Sequence, residues 1–123
     1  MSEHSKELGA QGEAWAEQFL THQGYQIIER NWSGAGGEID LITQHDQGFV
    51  FVEVRTRAHD AQQSALATVD RAKRARIIAA GLAYLAQHDL DDPAWRIDLV
   101  AITLAPSGKV LRIDHLMSIT QAD

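Results

Sequence analysis

The chain has 123 residues, no cysteine and a hydrophobic content of 45%, which predicts a single globular domain over residues 1–123 and excludes disulfides and thiolate metal sites. Its formal charge of −6 argues against a general polyanion binder, because nucleic-acid affinity rests on Lys and Arg neutralising phosphates. No apolar run approaches the roughly 20 residues of a membrane helix, so we expect a cytoplasmic protein without a membrane partner.

The first predicted element is a helix from about Lys6 to Gln23, where apolar residues recur at helical spacing. Gly24 follows it as a C-terminal cap. The segment "YQIIERNW", residues 25–32, has the aromatic and branched content of a strand, and "SGAGG", residues 33–37, is typical of a flexible connection.

The next two strands, "EIDLIT" and "FVFVEVR", are separated by "QHDQG", which predicts an antiparallel hairpin with a tight turn. If the turn is centred between Asp46 and Gln47, the numbers of two residues that face each other across the hairpin add up to 93. Asp40 then faces Glu53, and both carboxylates lie on one face of the hairpin.

A long helix is predicted from about Val69, or a few residues earlier, to Gln87. Two further strands, "WRIDLVAITL" and "KVLRIDHLM", follow it around the turn "APSG". The order is αβββαββ, and the strand–helix–strand crossover predicts a mixed sheet. We expect this α/β sheet to be packed by two helices that cover one face.

The facing carboxylates need an explanation, because like charges directly opposite across a hairpin are destabilising. Both side chains could point to solvent, or Arg55 and Arg57 could neutralise them. Both faces of the strand around Glu53 are largely apolar, however, which indicates a central, covered strand. A buried pair must take up a proton, find cations or hold a metal, and one or two carboxylates suit Mg²⁺ or Mn²⁺ with a phosphate substrate.

The motifs "GEAWAEQFL", "GYQIIERNW", "GEIDLI", "FVEVRTR", "VDRAKRARI" and "WRIDLVAI" together resemble the YraN family of bacterial proteins. The resemblance spans nearly the whole chain. It implies a restriction endonuclease-like fold of the PD-(D/E)XK nuclease superfamily, similar to the Holliday-junction resolvases.

The resemblance also implies roles for individual residues. Asp40 stands at the metal-binding Asp of the superfamily and Glu53 at the acidic residue of its (D/E)XK element, and the carbonyl of Val54 is a further candidate ligand. Glu13 matches an acidic position that often completes the site, and this match favours a site role over the alternative of a boundary residue hydrogen-bonded to a backbone end.

Arg55 stands where the superfamily has Lys. A guanidinium stays charged, so Arg55 can stabilise phosphate but cannot act as a general base. An ion pair with its expected cross-strand neighbour Glu38 is an equally good explanation of Arg55. Lys73, on the long helix, offers another route by which an ammonium could reach the site.

Positive charge is concentrated between Arg55 and Arg76, a segment that contains six basic and two acidic residues. The rest of the chain therefore has a formal net charge of −10. Candidate DNA-phosphate contacts are therefore Arg57, Arg71, Lys73, Arg74 and Arg76, although solvated helix charges are the more common explanation.

The sequence thus favours a Mg²⁺- or Mn²⁺-dependent endonuclease acting on DNA, with branched or damaged DNA suggested by the resolvases. A homodimer is a further expectation, because enzymes that cut junctions are often symmetric. The alternatives are a non-catalytic module that binds nucleic acid or protein on a degenerate nuclease scaffold, and a purely structural interaction module.

Overall fold

The computed structural model describes residues 3–90 and 93–119. Within them no helix is both long enough and apolar enough to cross a membrane. The order αβββαββ is confirmed, with a short 3₁₀ turn before the second helix. The elements are α1 (Glu3–His22), β1 (Gln26–Gly34), β2 (Gly37–His45), β3 (Gly48–Ala58), the 3₁₀ turn (Leu66–Thr68), α2 (Arg71–Gln87), β4 (Trp95–Leu104) and β5 (Val110–Leu116).

Gly24 ends α1 as predicted. Its φ of 93° is a left-handed conformation that glycine adopts without a steric penalty. The Tyr25 amide then donates to the Leu20 carbonyl at 3.0 Å, and the Gly24 amide donates to the Thr21 carbonyl at 3.0 Å. These two hydrogen bonds satisfy the last helical carbonyls, and the chain turns directly into β1.

The β1–β2 and β2–β3 hairpins use two-residue turns with positive φ. Asp46 and Gln47 have φ of 51° and 68°, which confirms the predicted turn, and Ile42 lies opposite Phe51 as expected. The first hairpin turns at residues 35–36, so β1 and β2 extend further into "SGAGG" than the sequence predicted. Turns of this kind match the right-handed twist of the strands they join.

The five strands lie in the order β1-β2-β3-β4-β5. The β3–β4 pair is parallel and the other three pairs are antiparallel, so the sheet is mixed as predicted and β3 is its central strand. This arrangement agrees with the restriction endonuclease-like layout.

The expectation that both helices cover one face is wrong. Phe51 packs with Ile77 and Tyr84 on the α2 side, whereas Val52 packs with Ala16 on the α1 side. Successive side chains of a strand point to opposite faces, and both faces of β3 are apolar, so each face needs its own helix. The result is a three-layer α/β/α arrangement.

The second helix begins later than predicted. It starts at Arg71, because the side chain of Asp70 accepts a hydrogen bond from the Lys73 amide at 2.8 Å and caps the helix. Val69 precedes the cap and is fully buried, so its apolar character reflects packing and not helical structure.

Two glycines allow the helices to lie close to the sheet. A β-carbon at Gly12 of α1 would overlap Thr56 Oγ1 of β3, and one at Gly37 of β2 would overlap the Arg76 carbonyl oxygen of α2. The absence of side chains at these positions therefore sets how near each helix lies to the centre of the sheet.

We predict opposite effects for alanine at two glycines of α1. Gly9→Ala meets no atom within 4 Å and should stabilise the protein by up to about 1 kcal/mol through helix propensity. Gly12→Ala should destabilise it by about 1–3 kcal/mol through overpacking against Thr56. Urea unfolding measures both, and Thr56→Ala should relieve the Gly12→Ala defect. Equal stabilisation by both alanines would contradict the close approach.

Candidate active site

The candidate site lies where the pairing of β2 and β3 ends. The ladder runs from His45–Gly48 to Leu41–Val52 and stops there. The next β3 amide that faces β2, that of Val54, donates at 2.8 Å to Oδ2 of the Asp40 side chain. A carboxylate thus replaces a backbone carbonyl as the acceptor, and a gap opens between the two strands.

The structure places the carboxyl groups of Asp40 and Glu53 in one cavity at this gap, close enough for each to shift the pKa of the other. Glu53 is 4% exposed, and Asp40 is half-buried. Ionising both carboxyl groups carries a penalty, so this placement favours uptake of a proton by the pair unless neighbouring cations offset the second charge.

The proton resides mainly on Glu53. Burial and the adjacent charge of Asp40 raise the pKa of Glu53 to about 7, although Lys73 and Arg55 oppose the shift. Burial also raises the pKa of Asp40, but the Val54 amide and the hydrogen bond from Glu53 act in the other direction. Glu53 is therefore the first of the two acids to take up a proton as pH falls, and Asp40 then accepts its hydrogen bond.

Two cations approach Glu53 from different elements. Nη2 of Arg55 lies 3.2 Å from Glu53 Oε2, and Nζ of Lys73 lies 3.8 Å from the same oxygen. Arg55 also donates to the Thr68 carbonyl at 3.4 Å. Among the described residues Arg55 thus pairs with Glu53 and not with Glu38, whereas α2 does deliver the Lys73 ammonium to the site.

Glu13 approaches the pair from α1. Burial and the charge of Asp40 raise its pKa, while a hydrogen bond from the Asn31 side chain opposes the rise. Within residues 3–90 and 93–119, no three Asp, Glu or His side chains converge into a ready-made metal site. Glu13 therefore lies beside the pair in the same cavity, and its role as a metal ligand stays a prediction.

A cavity of about 430 Å³ connects these groups and is open to solvent. Glu13, Asp40, Glu53, Arg55 and Lys73 all line it, together with Val54. In a strand the N–H and C=O of one residue point to the same edge, so the Val54 carbonyl faces the gap that its amide faces. The cavity therefore offers the paired carboxyl groups of Asp40 and Glu53, the carboxyl group of Glu13 and one carbonyl at an accessible opening.

The other basic candidates are dispersed. Arg57 donates to the Gln63 carbonyl, and Nε of Arg74 donates to the Val69 carbonyl at 2.9 Å. Arg71 and Arg76 are exposed on α2. Of the four α2 cations, only Lys73 lines the cavity that contains the carboxylates.

A second buried acid differs from the pair. Asp98 of β4 is fully buried and is hydrogen-bonded to Arg96, His115 and the Ser118 amide. Burial alone would raise its pKa, but these hydrogen bonds outweigh it and the pKa is lowered. Asp98 therefore anchors β4 and β5 through buried ion pairs with Arg96 and His115.

Sequence reasoning missed three residues that shape the site. Asn31 holds Glu13 and has a φ of 52°, Thr68 holds Arg55 through its carbonyl, and Gly12 sets the height of α1 over β3. Only Asn31 carries a local signal, because Asn is enriched in left-handed backbone. The other two contacts join residues 13 to 44 positions apart in the sequence.

The fold and the site together define an α/β protein of restriction endonuclease-like layout with a paired-carboxylate cavity at an opening in its sheet. A family model described as "Uncharacterised protein family UPF0102" matches residues 12–102. The chain belongs to this family, and the resemblance to the YraN proteins is thereby confirmed.

Individual relatives match along most of their length. A UPF0102 protein of Roseiflexus castenholzii is 44% identical over 110 residues, which are 89% of each chain. One of Chloroflexus aurantiacus is 44% identical over 119 residues, or 96% of each chain, and one of Marinobacter nauticus is 40% identical over 121 residues, or 98% of each. None of these names states an activity.

We predict that Glu53 makes the metal-free protein less stable as pH rises. Its folded pKa of about 7 exceeds the ordinary value of 4.5, so its stabilising contribution is complete below pH 4.5 and is lost as pH rises through 7. The full loss corresponds to about 3 kcal/mol. Urea unfolding in EDTA should show a larger loss of stability with rising pH in the wild type than in Glu53→Gln, which keeps only the smaller contributions of Asp40 and Glu13.

Glu29→Gln, on β1 outside the cavity, serves as the matched control and should reproduce the wild-type curve. Parallel pH dependence of the wild type and Glu53→Gln would show that Glu53 ionises normally.

Proposed function

We propose that the protein is a Mg²⁺- or Mn²⁺-dependent nuclease that hydrolyses phosphodiester bonds in DNA. The observation that carries this proposal is the pairing of half-buried Asp40 with buried Glu53 in one solvent-accessible cavity at a gap in the sheet, with two cations beside Glu53. Membership of UPF0102 fits this proposal without stating an activity.

The donor set fits a hard divalent cation. Asp40 and Glu53 would hold Mg²⁺ or Mn²⁺ with the Val54 carbonyl, which is consistent with the one or two protein carboxylates that Mg²⁺ usually takes. Their shared proton would leave on binding, since ligating carboxylates must be ionised. A metal held there would polarise the phosphodiester and lower the pKa of a bound water.

The cations of this chain would act on the substrate. Arg55 is fixed by Glu53 and by the Thr68 carbonyl, and its Nε is buried without a hydrogen-bond partner among the described groups. Arg55 and Lys73 would bind the scissile phosphate and stabilise the charge that develops on it. Lys73 would thereby supply the ammonium that the strand itself lacks.

The resolvase-like layout suggests branched DNA as the substrate, and cleavage of a junction would favour a homodimer. Both statements extend the proposal by analogy of fold. A panel of supercoiled, single-stranded, fully paired and four-way-junction DNA distinguishes these substrates directly.

The central test compares Asp40→Asn with Asp46→Asn on this panel in Mg²⁺ and in Mn²⁺. Asp46 lies in the exposed β2–β3 turn, so its substitution makes the same chemical change outside the site. We expect wild type and Asp46→Asn to cleave at least one substrate and Asp40→Asn to fall to background. Calorimetry should show Mn²⁺ binding that Asp40→Asn abolishes; cleavage that survives Asp40→Asn would rule out this site.

For Lys73 we predict a loss of cleavage rate of about 10²–10³-fold in Lys73→Met, as for removal of one electrostatic stabiliser of a transition state. Arg71→Met removes a positive charge from the same helix outside the cavity and should change the rate by less than about threefold. Lys73→Arg should recover part of the rate. Equal rates for the two methionine variants would assign Lys73 to general electrostatics.

A second function is favoured by one observation, the ion pair that Arg55 makes with Glu53 in place of the lysine of active relatives in the superfamily. A scaffold that had lost catalysis would bind DNA with a strong salt dependence, without a cation requirement and without cleavage. The DNA panel and the Mn²⁺ titration separate this binding module from the nuclease.

A further inference from the structure

A second recess lies beside the candidate active site. It has a volume of about 590 Å³. Ala101 and Thr103 of β4 line its base, residues 57–59 and 61–66 line one side, and Arg112 and Asp114 of β5 line another. The volume is sufficient for one small organic group, since ligand sites commonly measure about 300–1,000 Å³.

The recess continues the active-site face of β3. Glu53, Arg55 and Arg57 alternate along the strand and therefore point to the same face. Their β4 partners are Leu99, Ala101 and Thr103 in the same order. Leu99 belongs to the core under α2, whereas Ala101 and Thr103 form the base of the recess, so the change to smaller side chains opens space beyond Arg55.

The lining combines apolar and polar groups in a way that suits a nucleobase. Ala61, Ala65 and Leu116 offer apolar contact, and the side chains of Gln63 and Asp114 offer hydrogen-bonding groups. An isolated phosphate would gain nothing from apolar walls and would be repelled by Asp114. A base presents a flat apolar face together with donors and acceptors at its edge.

Two cations line the recess from opposite sides. Arg57 lines it from β3, and Arg112 lines it from β5, where Nε of Arg112 donates to Asp114 Oδ2 at 2.9 Å. Arg112 is 71% exposed, so the rest of its guanidinium remains accessible to solvent. A base in the recess would therefore lie between two groups able to contact the sugar–phosphate backbone.

We propose that this recess binds an unpaired nucleotide of the DNA strand whose neighbouring phosphodiester lies at Asp40 and Glu53. A base within a duplex cannot enter a pocket without leaving its stack, so a nucleotide that is already unpaired enters at the lowest cost. The assignment rests on the proposed nuclease function and specifies its substrate as DNA with an unpaired nucleotide next to the scissile bond.

Binding measurements without metal test this assignment separately from cleavage. Labelled DNA of equal length is titrated in EDTA by fluorescence anisotropy as a single strand, as a duplex with one unpaired nucleotide, and as a full duplex. Arg112→Gln and Ala61→Trp alter the recess at exposed positions, where folding should be preserved. Lys109→Gln and Ala86→Trp make the same changes at exposed positions outside it.

We expect the wild type to prefer the two DNAs that contain unpaired nucleotides. Arg112→Gln and Ala61→Trp should each weaken binding of these DNAs by about five- to tenfold, roughly 1 kcal/mol, and change duplex binding by less than about twofold. The two controls should match the wild type. Equal losses on duplex DNA, effects no larger than the controls, or no DNA binding by the wild type would each overturn the assignment.

Cleavage of the same DNAs in Mn²⁺ separates the two proposals. Loss of cleavage in Asp40→Asn without any effect of the recess variants would leave the nuclease standing and remove the nucleotide pocket. Binding that responds to the recess variants without cleavage by the wild type would keep the pocket and refute the nuclease.

Discussion

The bond between the Val54 amide and the Asp40 carboxylate is the contact on which the site depends. If β2 and β3 stayed paired to their ends, a backbone carbonyl would accept that bond and the strands would remain about 4.8 Å apart. A side-chain acceptor satisfies the amide while the strands separate. The gap exposes the middle of an otherwise covered sheet, and residues of α1 and α2 reach it from opposite faces.

Two acidic and two basic side chains meet at this gap, and the acidic pair can still take up a proton or a metal ion. Asp98 is a buried acid with an anchoring role. Its hydrogen-bond partners lower its pKa and keep it ionised. The Asp40–Glu53 pair instead has two cations on one oxygen and a raised pKa at Glu53. Arg55 and Lys73 do not fully offset the charge of the pair, so the two acids favour a shared proton. A divalent cation can displace that proton.

Much of the fold could be predicted because the signals are local. Residues 46–47 form the turn that the polar sequence indicated, and the register that follows from it holds as far as Leu41–Val52. The apolar character of both faces of β3 correctly indicated a central strand. The same pattern does not predict which face of the sheet each helix packs against, because periodicity shows that a face is covered but not which helix covers it.

The sequence alone thus determined the element order and the placing of Asp40 and Glu53 on neighbouring strands. It did so through turn chemistry, alternation along strands and helical periodicity. Only the tertiary structure decided that Lys73 reaches Glu53, that Asn31 holds Glu13, and that Arg55 pairs within its own strand. These contacts depend on how far each helix lies from the sheet and at what angle. Those quantities arise from packing across the whole core, and glycines such as Gly12 influence them through space and not through neighbours in the sequence.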